Sequence, residues 1–166
     1  MSGIISDNQG RSSGLVKSAG GGGKILQIVS ATDSTERAVV STSFATASNA
    51  LTATITPSAT SSKILVQVST AISQRTANEY SCATLQRTIG GSGLTNLGSA
   101  YGLTMVGGTS GTDIGSGAMT YLDSPNTTSE CVYQVYGRST SGPSTDCRIN
   151  RDGVKGSIVA MEVDGS

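Results

Sequence analysis

The sequence predicts an all-β protein: an antiparallel β-sandwich of jelly-roll type, with about eight or nine short strands behind a short N-terminal arm. Three observations carry this prediction. Apolar and polar residues alternate at a period of two in several short runs. Clusters of Gly, Ser, Thr, Asn and Pro separate those runs, and no segment sustains a 3.6-residue apolar period. Of the 166 residues, 36% are hydrophobic and 13% charged, yet the formal net charge is zero. Disorder needs low hydrophobicity combined with high net charge, so short β-branched strands set in small polar residues fit this composition better. The length suffices for one domain with a core.

Residues 1–23 differ from the rest of the chain. Two apolar pairs, Ile4-Ile5 and Leu15-Val16, sit among polar residues, and Gly20 to Gly23 interrupt any regular structure. This composition predicts a flexible arm and glycine hinge over 1–23, then a single β-sandwich domain over 24–166. A plain disordered tail has the same composition. The spaced apolar pairs favour an arm that orders on a partner, with Ile4, Ile5, Leu15 and Val16 as the candidate partner-binding residues.

The first strand opens at Lys24-Ile25-Leu26. In LTATITP (51–57), Leu51, Ala53 and Ile55 share one face and Thr52, Thr54 and Thr56 the other, until Pro57 stops the run. KILVQVST (63–70) places Ile64, Val66 and Val68 on an apolar face and Leu65, Gln67 and Ser69 opposite. The linker PSATSS has the composition of a turn, which predicts an antiparallel pair of these two strands. The Lys-Ile-Leu phrase occurs at 24–26 and again at 63–65. It predicts two strands of similar role, each starting the core after a basic residue that ends a loop.

Later strands are predicted at Tyr80–Arg87, Ala118–Leu122, Cys131–Arg138, Cys147–Asn150 and Ser157–Val163. In CVYQVYGR, Tyr133 and Val135 face away from Val132 and Tyr136, so both faces carry apolar mass and both need cover. Glycines crowd the stretch from Gly90 to Gly117. That stretch is predicted as loops around one or two weak strands near Ala100–Met105.

Chemistry is sparse. The chain has no histidine, which removes Ser-His-Asp and Cys-His arrangements and the commonest nitrogen ligand of zinc. Cys82, Cys131 and Cys147 lack CxxC spacing and read as small buried hydrophobes with free thiols. In AGGGGKI, Ile25 stands where a phosphate loop needs Ser or Thr after its lysine, and GSGLTN and GSGAMT lack the last glycine of a dinucleotide fingerprint. Arg151-Asp152-Gly153 reads as a turn. A carboxylate pair that meets only in the fold is left open. The sequence therefore predicts no catalytic residue, no metal ligand and no cofactor. Without a basic stripe it predicts no nucleic-acid partner, and without an apolar run of about 20 residues no membrane span. MSGIISDNQGRSSG does not look like a secretion signal, which points to synthesis in a cytoplasm.

Several phrases, in order, carry a resemblance: KILQIVSAT (24–32), VVSTSF (39–44), LTATITPSATSSKILVQVS (51–69), TLQR (84–87), YLDSPNTTSECVYQVYGRS (121–139), INRDG and GSIVAMEV (149–163). Together they resemble small virion structural proteins of tailed bacteriophages, especially those of aquatic bacteria, over nearly the whole chain after residue 23. ITPSATSSKILVQV is the most specific piece. The resemblance implies a virion-surface β-sandwich, usually a homotrimer, made in the host bacterial cytoplasm and without catalysis. It transfers no site residues. The expected function is that of a capsid decoration (cement) protein, held by its arm on the major capsid protein or another virion protein. The other reading is a tail-fibre or receptor-binding module, with Tyr101 and Tyr121 available to stack on a host surface glycan.

Overall fold

The computed structural model describes residues 24–47, 50–109, 111–141 and 147–165. The expected arm, with Ile4, Ile5, Leu15 and Val16, lies outside the described residues. Those described form fourteen strands and one 3-10 turn. In chain order they are β1 (Ile25–Asp33), β2 (Arg37–Val39), β3 (Ala45–Thr46), β4 (Thr52–Ile55), β5 (Lys63–Ser69), β6 (Ala71–Gln74) and β7 (Glu79–Ile89). Then come β8 (Ser92–Asn96), β9 (Thr104–Gly108), β10 (Asp113–Ser116), β11 (Met119–Asp123), β12 (Cys131–Ser139), β13 (Cys147–Ile149), the turn Arg151–Gly153 and β14 (Gly156–Val163).

The strands outnumber the expectation because long ribbons are interrupted. One sheet runs β1-β14-β5-β11 and a second runs β2-β13-β6-β10. Each strand of the first continues, after a short break, into the strand at the same position of the second. The two sheets are therefore one layer of four bent ribbons. In the other layer β3 and β4 both pair with one side of β12, and β8 and β9 both pair with the far side of β7. Counted as eight ribbons, the layers read 1-8-3-6 and 2-7-4-5. This is the wrapped connectivity of a jelly roll, and all ladders are antiparallel, as the alternation patterns predict.

The four breaks of the first layer meet in one polar line. Thr70 Oγ1 donates to Asn150 Oδ1 at 2.8 Å and accepts the Asn150 N–H at 3.2 Å. Asn150 Nδ2 donates to the Thr35 carbonyl at 3.2 Å, and the Gly117 N–H to the Thr70 carbonyl at 2.8 Å. Asn150 is fully buried and left-handed, with φ of 56°, a conformation asparagine tolerates better than most residues. Where the ladders lapse, these bonds satisfy the backbone instead.

The core lies between the layers. Ile64 and Val66 are fully buried and Val68 nearly so, while Leu65, Gln67 and Ser69 face outward. Leu51, Ala53 and Ile55 are buried likewise, opposite Thr52, Thr54 and Thr56. Both face assignments therefore agree with the period-2 pattern. In β12, Tyr133 and Val135 are fully buried and Val132 and Tyr136 half-buried. The five later strands fall within two residues of their predicted bounds.

Three expectations are corrected. β4 and β5 do not pair. β4 lies against β12 in one layer, and β5 lies between β14 and β11 in the other. The linker 57–62 arches between layers because Glu162, fully buried in β14, holds both of its ends. The Glu162 carboxylate accepts the Ser58 N–H at 2.7 Å, Ser58 Oγ at 2.6 Å, Ser62 Oγ at 2.6 Å and Gln27 Nε2 at 2.7 Å. The echoed Lys-Ile-Leu phrases do not play one role either. In the edge strand β1, Ile25 and Ile28 pair with the outward Val163 and Met161, so Ile25, Leu26 and Ile28 are 54%, 46% and 59% exposed, and only Val29 and Ala31 reach the core. Finally, the glycine-rich stretch holds β8, β9 and β10, because backbone ladders to β7 and β6 need no large side chains.

The Glu162 tie sets a pH dependence. Burial opposes its charge, but the Ser58, Ser62 and Gln27 hydrogen bonds outweigh it and lower the pKa from 4.5 to about 2. A depressed folded pKa stabilises the fold above the unfolded value and loses that contribution as pH falls through the folded one. Stability should therefore drop by on the order of 3 kcal/mol between pH 4.5 and 2 from this group. Urea unfolding at several pH values in that window checks it. Glu162→Gln should flatten the drop, and an equal drop in that variant would contradict the assignment.

Candidate functional site

Charged side chains in the described body are mostly spent on internal ties. Arg87 of β7, Asp123 at the end of β11 and Tyr133 of β12 form a buried cluster. Arg87 Nη1 lies 2.8 and 2.6 Å from the two Asp123 oxygens, and the Tyr133 hydroxyl donates to Asp123 Oδ2 at 2.7 Å. The Arg87 and Asp123 side chains are 15% and 7% exposed. Burial, and then the hydrogen bond to Asp123, pushes the Tyr133 phenol well above its ordinary pKa, so it stays a neutral donor. The cluster joins β11 of one layer to β7 and β12 of the other.

A second cluster sits at the breaks of the first layer. Glu36 pairs with Arg148 and with Arg151 (3.0 Å), and accepts the Asp152 N–H at 2.9 Å. That N–H, then Arg148 and Arg151, hold the Glu36 carboxyl below its usual range against the opposing effect of burial. A shallow polar cavity of about 340 Å³ lies beside it, lined by Glu36, Arg37, Ala38, Thr46 and Ala47. The three cysteines are buried and free, in agreement with the sequence reading. Burial pushes the Cys82 and Cys131 thiols up, which keeps them protonated and poorly nucleophilic. Among the described residues, no group of three or more His, Cys, Asp or Glu could hold a metal ion.

The two tyrosines singled out for glycan stacking part company. Tyr121 is half-buried in β11, opposite Val66, and packs on the core. Tyr101 is 56% exposed on the loop 97–103, which interrupts the β8–β9 ribbon. Gly102, with φ of 80°, lets this loop press its backbone against the Ala83 carbonyl, where a Cβ would clash. The Arg138 guanidinium is 5.4 Å from the centre of the Tyr101 ring and 5.4 Å from that of Phe44. Its Nη2 donates to the Ala100 carbonyl at 2.6 Å, and its Nη1 to the Thr42 carbonyl at 3.1 Å. These cation–π contacts and hydrogen bonds pin the loop to β12. A cavity of about 300 Å³ opens there, lined by residues that include Tyr101, Leu103 and Met105.

The outer faces of the two layers differ in character. On the second layer one cross-strand row reads Thr52, Gln134, Gln86, Asn96, and the next reads Thr54, Val132, Thr88. On the first layer the cross-strand register aligns Ile28 with Met161, Met161 with Leu65, and Leu65 with Leu122. This apolar row crosses all four strands, and its ends, Ile28 and Leu122, are 59% and 53% exposed. The alternation in 63–70 put Leu65 on the outer face, but only the register of strands far apart in sequence assembles the row. No protein-family model matches the chain, and no curated protein matches it.

Proposed function

We propose that this protein is a non-enzymatic structural protein of a bacteriophage particle surface, a capsid decoration (cement) protein that attaches through its N-terminal arm. The observation that supports this reading best is the division of labour on the described body. Its carboxylates and guanidinium groups tie strands together, and the outer face of one sheet carries an apolar row across all four strands, suited to packing against protein. A decoration protein must bind an existing lattice and stay folded outside the cell. A cross-tied sandwich meets the second need, and the apolar pairs Ile4-Ile5 and Leu15-Val16 of the arm suit the first. Several arms on one oligomer would add avidity.

Deletion of residues 1–20 tests this. The expected result is a folded protein that no longer binds undecorated shells. Truncated protein that still fills the shell would overturn the reading. Gel densitometry of purified particles separates decoration, with hundreds of copies, from a tail component with a dozen or so. The exposed Tyr101 and its cavity favour a second reading, a fibre or receptor-binding module that takes a host glycan. That reading requires the purified protein to bind host cells and compete with infection.

A further inference from the structure

We infer that the outer face of the sheet β1-β14-β5-β11 is a contact between copies of this chain. The inference deepens the assembly reading but stands on this face alone, so its failure leaves the shell-attachment test untouched. Ile28, Met161, Leu65 and Leu122 form one unbroken row across the sheet, and Val159 and Val163 stand on the same face of β14. Lys63, at the start of β5, is the only charged side chain at the outward positions of these four strands among the described residues.

Size and charge together point to a second copy. Four strands about 4.8 Å apart, each with about seven residues at 3.3 Å, span roughly 19 by 23 Å, or about 430 Å² in projection. Side-chain relief raises the accessible area to near the 500 Å² per partner, about 1,000 Å² in total, that a biological interface must clear. A face so nearly uncharged offers a charged partner no complementary groups. The apolar row is flanked on the same face by the row Ser30, Val159, Gln67 and Thr120, so its natural complement is an apolar band edged by hydroxyl and amide groups, and a second copy supplies one at equal concentration. The outer face of the other layer, with its rows Thr52, Gln134, Gln86, Asn96 and Thr54, Val132, Thr88, offers no such apolar band to match it.

Sedimentation velocity of the full-length chain tests the contact. The wild type should sediment as an oligomer of the 16.7 kDa chain. Leu122→Asp and Leu65→Asp should each weaken association by about a hundredfold or more, and the double variant should run as a monomer with its cooperative melting intact. Leu122→Gln gives a milder probe should the aspartates impair folding. Thr54→Asp, on the outer face of the second layer, should leave the mass unchanged. A wild type that is monomeric at micromolar concentration, or folded Leu65 and Leu122 variants that keep the wild-type mass, would overturn the inference.

Discussion

Val66→Asp is expected to abolish folding. Val66 is fully buried at the centre of β5, with Tyr121 across one ladder and Ala160 across the other. Its side chain points into the space between layers, where no basic group lies across either ladder. A carboxylate there is either desolvated without a partner, at a cost of several kcal/mol, or protonated at a comparable cost. A domain of this size has about 5–15 kcal/mol in total, and the lost valine packing adds to the deficit. The variant should give no cooperative thermal transition and should lose its strand circular dichroism. Leu65→Asp places the same charge one residue earlier, on the outer face, and should remain folded. A folded Val66→Asp would mean that the two faces of β5 have been exchanged.

That pair of substitutions marks what the sequence could reveal. Alternation along 51–57 and 63–70 separates core from solvent because one face of each strand is dry, and it survives intact in the structure. Alternation says nothing of which strand lies alongside. The hairpin expected of β4 and β5 fails because the arch 57–62 is held by Glu162, about a hundred residues further on. Nor does it foresee the register shift between Ile25 and Gln27 in β1, which leaves Ile25 exposed while Ile64, in the echo at 63–65, is fully buried. The four ribbon breaks were equally hidden, since Thr35, Thr70, Gly117 and Asn150 share no local motif and meet only in the fold. The outer apolar row belongs to the same class. Ile28, Leu65, Leu122 and Met161 come from four separate segments, and each alone is an ordinary surface residue.

Asp123→Ala is expected to destabilise the protein by about 3–5 kcal/mol, the cost of breaking a buried ion pair by removing one partner. The substitution removes more than an attraction. It leaves the Arg87 guanidinium, 15% exposed, without the carboxylate beside it, and takes the acceptor from the fully buried Tyr133 hydroxyl. Each group then bears its own desolvation cost. Because Asp123 ends β11 while Arg87 and Tyr133 belong to β7 and β12, the loss falls on the join between layers. The melting temperature should fall by on the order of 10–15 °C. Asp123→Asn keeps an acceptor for Tyr133 but not the charge, and should cost less than Asp123→Ala. The decisive comparison is the double variant Arg87→Met/Asp123→Leu. If the cluster serves the fold alone, removal of both charges should restore much of the loss, since an apolar replacement of a buried pair is often neutral. A double variant as unstable as Asp123→Ala would show that Arg87 makes a further contribution apart from Asp123.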